Sequence, residues 1–177
     1  YPWRIYQKKS IYYALKDIEN YIFSAEGLTP EHLAKIRIAL VKYSDKDKGV
    51  EVQDFIEYKD LGDICAKIDS IDVKSNSLKK RNVFEALKSV SELKWNDDSR
   101  RLILHYCGDP QYGSKYTENP KKMPEDYDPL PDGDSDIIED DLFDSLSNLN
   151  FTKYNLVKFN DRCERMIKEL TSKFDID

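Results

Sequence analysis

One stretch constrains the fold more than any other, the sequence Arg-Arg-Leu-Ile-Leu-His-Tyr-Cys-Gly-Asp-Pro at Arg100–Pro110. Its apolar run, Leu102–Leu104, is typical of a strand that is buried on both faces. Cys107–Pro110 then takes the chain out of extended geometry. Because ligands bind beyond the carboxyl ends of strands in open α/β sheets, Asp109 is a candidate functional residue.

Hydrophobic periodicity predicts that helices and strands alternate along the rest of the chain. Helical spacing of apolar residues predicts helices over 4–24, 61–68, 83–95, 136–149 and 163–174. Apolar or alternating runs predict further strands over 36–43, 50–55 and 154–159. The turn composition of Asp45–Gly49 joins the first two strands in a hairpin, with the second strand at a sheet edge.

This order predicts an α/β fold, a three-layer doubly wound sheet that is mostly parallel and has one antiparallel edge hairpin. The 177 residues are enough for one domain, 1–177. The chain starts at Tyr1 with neither a signal peptide nor an initiator methionine, so we expect a fragment of a longer protein.

Composition excludes several classes of partner. No apolar run approaches the roughly 20 residues that a membrane span needs. The net charge is −6 and the basic residues are scattered, which argues against nucleic acid. Cys65, Cys107 and Cys163 are odd in number and far apart in the sequence, which predicts free buried thiols, a reducing compartment and a cytoplasmic location.

The segment Gly108–Ser135 has no periodicity and holds five of the seven prolines. A loop of this length is usually functional or an insertion. Tyrosines crowd it at Tyr112, Tyr116 and Tyr127, and aromatic side chains near the carboxyl end of a sheet are suitable contact anchors.

Four segments of the sequence, taken together in order and spacing, resemble a known family. They are Ile38–Asp45, Val52–Phe55, Arg101–Gly113 and Tyr127–Asp134. The chain resembles a von Willebrand factor A-type domain, of the variety found beside atypical alpha-kinases. The resemblance implies a sheet whose first strand lies in the middle and ends in Asp-x-Ser-x-Ser. That strand is missing here, and the first predicted helix matches the helix that follows it.

The resemblance also implies a Mg²⁺ site built from that motif, a threonine of a second loop and an aspartate after the fourth strand. Lys74 stands where the family has its threonine, with Ser75 and Ser77 nearby, and Asp109 lies one place after the family's aspartate position. The candidate metal residues are therefore Asp109, Ser75 and Ser77. We predict a degenerate site and no cofactor, with Mg²⁺ as the ion that such a site would take.

Two local patterns have a plainer explanation than chemistry. Asp128–Glu139 matches several positions of a calcium loop, but Leu130 is not an oxygen ligand, which favours a turn followed by a capped helix. His105 and Cys107 lie two apart on one strand and suggest a nucleophile with its base. No third group is evident, which favours a core histidine.

The predicted function is a non-catalytic protein–protein interaction or assembly module, whose partner is another protein or a large protein assembly. Its interaction surface is predicted to contain Asp45, Asp109, Gln111, Tyr112, Tyr116, Tyr127, Asp132 and Asp134. The resemblance leaves two alternatives open. One is a regulatory domain of an alpha-kinase type serine/threonine protein kinase, and the other is Mg²⁺-dependent, adhesion-type ligand binding.

Overall fold

A computed structural model describes residues 3–24, 29, 31, 36–44, 49–57, 61–70, 82–111, 116, 141–149, 153–159 and 161–173. These residues form a mixed α/β structure with one antiparallel and one parallel pair of strands. The predicted α/β class is confirmed at this level.

The helices and strands lie close to their predicted positions. The helices are α1 (Trp3–Ser24), α2 (Leu61–Ser70), α3 (Val83–Ser91) and α4 (Glu164–Lys173), and residues 141–147 are also helical. A 3₁₀ turn, Asp161–Cys163, leads into α4. The strands are β1 (Arg37–Tyr43), β2 (Val50–Glu57), β3 (Leu102–Cys107) and β4 (Lys153–Lys158).

The chain divides into two compact units, and the first comprises Tyr1–Leu40 and Asp54–Ser75. Among the described residues, its core forms where apolar side chains of α1 and α2 meet. The buried residues are Leu15, Ile64 and Ile68, with Ile11, Ile36, Ile38, Leu40, Ile56 and Cys65 packed against them. Lys8 Nζ also donates a hydrogen bond to the Asp69 carbonyl at 2.5 Å.

β1 and β2 form the predicted hairpin. Gly49 lies just before β2 with φ +66°, a left-handed conformation that glycine adopts without strain. Lys42 Nζ and Glu51 Oε1 lie 2.7 Å apart across the pair. The left-handed glycine and this ion pair therefore support the hairpin that the sequence predicts.

The second unit comprises Val41–Gln53 and Asn76–Asp177 and contains the larger core. One layer of helices packs against one face of the β3–β4 pair. Buried in this core are Val83, Phe84, Leu87, Ile103, Cys107, Tyr116, Leu142, Phe143, Leu146, Tyr154, Cys163, Met166 and Leu170. The Phe84 ring meets the rings of Tyr116 and Phe143 edge-on, with centroids 5.0 and 6.4 Å away.

β3 and β4 pair in parallel, from Leu102 opposite Lys153 to Cys107 opposite Lys158. The prediction that β3 is buried on both faces is wrong. Side chains alternate along the strand, so Ile103 faces the core while Leu102 and Leu104 remain 47% and 39% exposed. A continuous apolar run does not reveal whether a second layer covers the sheet.

Arg101 anchors the start of β3 from inside the protein. It is 9% exposed, and its guanidinium donates hydrogen bonds to the carbonyls of Leu149 and Asn96, the latter at 3.0 Å. Asp97 Oδ1 lies 3.6 Å from Arg101 Nη2. The arginine thus ties together the chain segments that precede β3 and β4.

Candidate functional site

The candidate site lies where β3 and β4 end side by side. Cys107 closes β3, and the Phe159 N–H just beyond β4 donates a hydrogen bond to its carbonyl at 2.9 Å. Because parallel strands have their carboxyl ends at the same edge of a sheet, residues 108–111 lie beside the 3₁₀ turn that opens α4. The sequence predicted this edge as the functional one.

Asp109 lies at this edge and is 9% exposed. Its Oδ1 is 2.7 Å from Nη2 of Arg162, a residue of the 3₁₀ turn. The two groups form an ion pair, but the guanidinium N–H bonds do not point at Oδ1 as they would in a hydrogen bond. The guanidinium therefore balances the negative charge of the one predicted metal residue that the structure describes.

A second group of charges forms the exposed rim of this edge. Lys158 Nζ lies 3.2 Å from Asp161 Oδ1 and also contacts Glu164. Hydrogen bonds to Glu164 and then to Asp161 raise the pKa of Lys158. Such exposed pairs contribute little to stability.

Two buried thiols lie directly beneath the rim. The Sγ atoms of Cys107 and Cys163 are 3.0 Å apart, and both residues are fully buried. The Cys107 thiol donates to the Asp109 carbonyl at 3.3 Å, since a carbonyl can only accept. The Cys163 thiol therefore donates to Cys107. This hydrogen bond, and after it burial, raises the pKa of Cys163, so that its thiol stays protonated.

His105 stands on the core-facing side of β3 between two tyrosine hydroxyls. Nε2 lies 2.8 Å from the Tyr43 hydroxyl, and Nδ1 lies 2.6 Å from the Tyr154 hydroxyl. The Tyr43 hydroxyl donates its proton to the Tyr106 carbonyl at 3.1 Å, so it accepts from Nε2–H. Tyr154 then donates to Nδ1, which fixes the tautomer of the histidine.

Burial lowers the pKa of His105 to about 4 and raises the pKa of both Tyr43 and Tyr154. At neutral pH all three side chains are therefore uncharged, with their hydrogen bonds directed within the protein. His105 is only 6% exposed, which confirms its interpretation as a core histidine. Both ring nitrogens are engaged, and the ring is not positioned as a base for an external substrate.

Gln111 and Tyr116 are internal as well, with exposures of 1% and 0%. Gln111 Oε1 accepts a hydrogen bond from the Phe84 backbone N–H at 2.9 Å. The backbone N–H of Gln111 donates to Met166 Sδ at 3.2 Å. Asn82, which precedes α3, makes no side-chain cap, so Gln111 satisfies a first-turn N–H of the helix from a distance. These two residues build the core rather than a contact surface.

The other predicted site residues cannot be placed in this geometry. Ser75 and Ser77 of the candidate metal site lie outside the described residues. So do Asp45, Tyr112, Tyr127, Asp132 and Asp134 of the predicted interaction surface, and the calcium-like segment Asp128–Glu139.

Sequence reasoning missed Arg162 and Cys163 as members of this edge. A signal for both was present, because each of the two strands is followed by a turn at the same edge of a parallel sheet. Aligning the two strand ends would have placed the segment 161–163 opposite 107–109. These two segments are close together because of the strand topology and not because of a sequence motif.

We expect Mg²⁺ to leave the unfolding temperature of the protein unchanged. Arg162 holds the Asp109 carboxylate, so a divalent cation would have to displace a guanidinium, and the described residues do not fit a magnesium site. Thermal unfolding in EDTA and in millimolar Mg²⁺ measures this. A rise of several degrees in the wild type that Asp109→Asn abolishes would contradict it.

A scan against protein-family models finds no match, and comparisons with curated proteins and with solved structures find none either. Among the helices that the structure describes, none combines the length and the apolar character of a membrane span. The likeness to the A-type family therefore rests on the four sequence segments that carry it.

Proposed function

We propose that this chain is a non-catalytic protein–protein interaction or assembly module, with a sheet of A-type strand order and a degenerate metal site. One observation carries the proposal, an apolar face of the β3–β4 pair that stays exposed. The ion pair between Asp109 and Arg162 supports the degenerate metal site, because it neutralises the carboxylate without a metal.

The outer face of the β3–β4 pair includes Leu102, Leu104, Tyr106, Asn155 and Val157, which alternate with the residues that face the core. Its two leucines have the exposures given above, and the Tyr106 ring stacks on Phe159 at 5.9 Å. Apolar side chains that are grouped on an exposed strand indicate a surface that another chain covers.

The edge of β3 that faces away from β4 supports the same proposal, because among the described residues no strand pairs with it. The Cys107 carbonyl points towards β4, so the backbone groups of Leu102, Leu104 and Tyr106 point away from it. Of these groups, the Tyr106 carbonyl accepts the Tyr43 hydroxyl. A further strand could pair with this edge, and in the A-type family the first strand occupies the middle of the sheet.

Changing Leu104 to glutamate is expected to remove bound partners without unfolding the protein. A charge on the outer face opposes the burial of that face by another chain, whereas an exposed position tolerates the change within about 0.5 kcal/mol. Affinity capture from extracts of the native source, quantified by mass spectrometry, measures the loss. We expect at least a tenfold fall in each specific partner.

Val52→Glu is the matched control, because Val52 is an apolar strand residue with a similar exposure, 50%, on β2. This variant should retain the partners that Leu104→Glu loses. If both variants capture the same proteins as the wild type, the outer face is not the contact surface. A captured alpha-kinase would assign the module to kinase regulation. Capture that requires Mg²⁺ would favour the adhesion-type alternative.

A further inference from the structure

The buried thiols of Cys107 and Cys163 form a pair that neither the proposed function nor the sequence patterns use. We propose that they are a modification site, at which an oxidant of the low-molecular-weight disulfide class converts the dithiol into a reversible intramolecular disulfide. The third cysteine, Cys65, belongs to the other compact unit and takes no part.

The geometry requires little movement. The sulfur atoms are 3.0 Å apart, and a disulfide bond of about 2.05 Å needs them to approach by roughly 1 Å. The backbone of Cys107 is already held, since this residue pairs with Lys158 in the sheet and its carbonyl accepts the Phe159 N–H. Two cysteines whose sulfur atoms lie farther apart would need a larger movement before they could be bridged.

The hydrogen-bond order indicates which sulfur reacts first. Cys163 donates its S–H to Cys107, so a thiolate that develops on Cys107 keeps a donor, while the Cys107 S–H would have to leave the Asp109 carbonyl to serve a thiolate on Cys163. Cys107 is therefore the attacking sulfur. Its side chain is fully buried, so the exchange waits for a local opening of the 3₁₀ turn, in which Asp161 and Arg162 are exposed and Cys163 is buried.

The exchange balances in two steps. The Cys107 thiol loses its proton to solvent, and its thiolate breaks the S–S bond of the small disulfide, forming a mixed disulfide and releasing one small thiolate that takes up a proton. The Cys163 thiol then gives up its proton as its sulfur attacks the Cys107 sulfur, and the second small thiolate takes up that proton as it leaves. Two protein thiols are oxidised by two electrons in total, and one small disulfide is reduced to two thiols.

The bond would tie the end of β3 to the start of α4 across the edge that carries Asp109 and Arg162. In a reducing compartment the dithiol is the resting state, and oxidation closes a loop from residue 107 to residue 163. Because loop closure restricts the unfolded chain, the oxidised protein is expected to unfold on the order of ten degrees higher than the reduced one.

The test equilibrates the folded chain in mixtures of reduced and oxidised glutathione, starting once from the dithiol and once from the oxidised protein. After acid quenching, free thiols are alkylated in denaturant and counted by mass. The reduced chain carries three reactive thiols. The proposal expects a form in which both Cys107 and Cys163 are unlabelled, and a peptide map that joins them.

Two variants and one condition make the result specific. Cys65→Ser should keep the Cys107–Cys163 link, and Cys163→Ser should lose it. In denaturant the link should form at a glutathione disulfide concentration at least tenfold higher, because only the folded chain holds the sulfurs together. Equal formation with and without denaturant would overturn the proposal, as would convergence from both starting states on free Cys107 and Cys163 thiols.

Discussion

Replacing Tyr116 with alanine is expected to lower the free energy of unfolding by about 3–5 kcal/mol. Tyr116 is fully buried, and its ring lies edge-on to Phe84 with the centroids 5.0 Å apart. Phe84 also contacts Phe143, so the truncation removes one wall of an aromatic cluster. The surrounding backbone relaxes only in part, which leaves a cavity. Urea unfolding followed by circular dichroism measures the loss.

Tyr13→Ala is the control, because that tyrosine is 59% exposed, and its removal should change stability by less than about 0.5 kcal/mol. The comparison also tests the prediction from the sequence that Tyr116 belongs to an interaction surface. A contact residue would lose partner binding while stability stayed constant. A stable Tyr116→Ala variant would therefore contradict the core position of the ring.

The second large effect is a fall in stability between pH 6.5 and about 4 that depends on His105. Its folded pKa is about 4 because burial penalises the charged ring, while the unfolded value is near 6.5. Between pH 6.5 and about 4, His105 is therefore protonated in the unfolded chain and neutral in the folded chain. The contribution of the neutral His105 ring to the free energy of unfolding is complete above about pH 6.5 and is lost as the pH falls. At about pH 4.5 the free energy of unfolding is lower by about 2–3 kcal/mol for this reason.

Unfolding of the wild type and of His105→Gln at pH 7.5, 5.5 and 4.5 measures this contribution. Carboxylates titrate in both proteins, so the difference between the two curves isolates the histidine. The variant should lose less stability over this range, although it starts lower because the tyrosine hydroxyls lose their partner. An imidazole resonance of His105 that titrates near pH 6.5 in the folded protein would refute the assignment.

Much of the local structure could be predicted from the sequence because it depends on local patterns. The predicted strand over 36–43 corresponds to β1, Arg37–Tyr43, and the predicted first helix over 4–24 corresponds to α1, Trp3–Ser24. The apolar spacing that predicts a helix over 136–149 also agrees with the burial of Leu142 and Leu146. Such predictions succeed where one face of an element is apolar and the neighbouring element is near in the chain.

Predictions failed where distant segments decide the outcome. Gln111 follows a strand in a proline-rich segment, which is typical of a surface loop, yet its amide satisfies a backbone N–H of α3 27 positions away in the chain. Nothing in the local composition marks a glutamine that caps a remote helix. The same limit applies to Arg162, whose partner Asp109 is reached only through the pairing of β3 with β4.

Leu102 and Leu104 show a related limit. An apolar run with two flanking arginines predicts burial, but the sequence does not state how many layers cover the strand. One face meets the core and the other keeps its leucines exposed. Composition thus predicted the strand, and only the packing of other segments determines which of its faces is available for contact.

The parallel pairing of β3 with β4 has a consequence for the order of synthesis. Leu102 and its partner Lys153 are separated by about 50 residues, all of which must leave the ribosome before the pair can form. At typical elongation rates this takes roughly 3–10 s. During that interval β3 is a nascent strand with apolar residues on both sides and no partner, a target for chaperones that bind extended apolar segments. Polar substitutions at the exposed positions of this run, Leu102 and Leu104, should therefore reduce chaperone binding during synthesis while leaving the finished sheet stable.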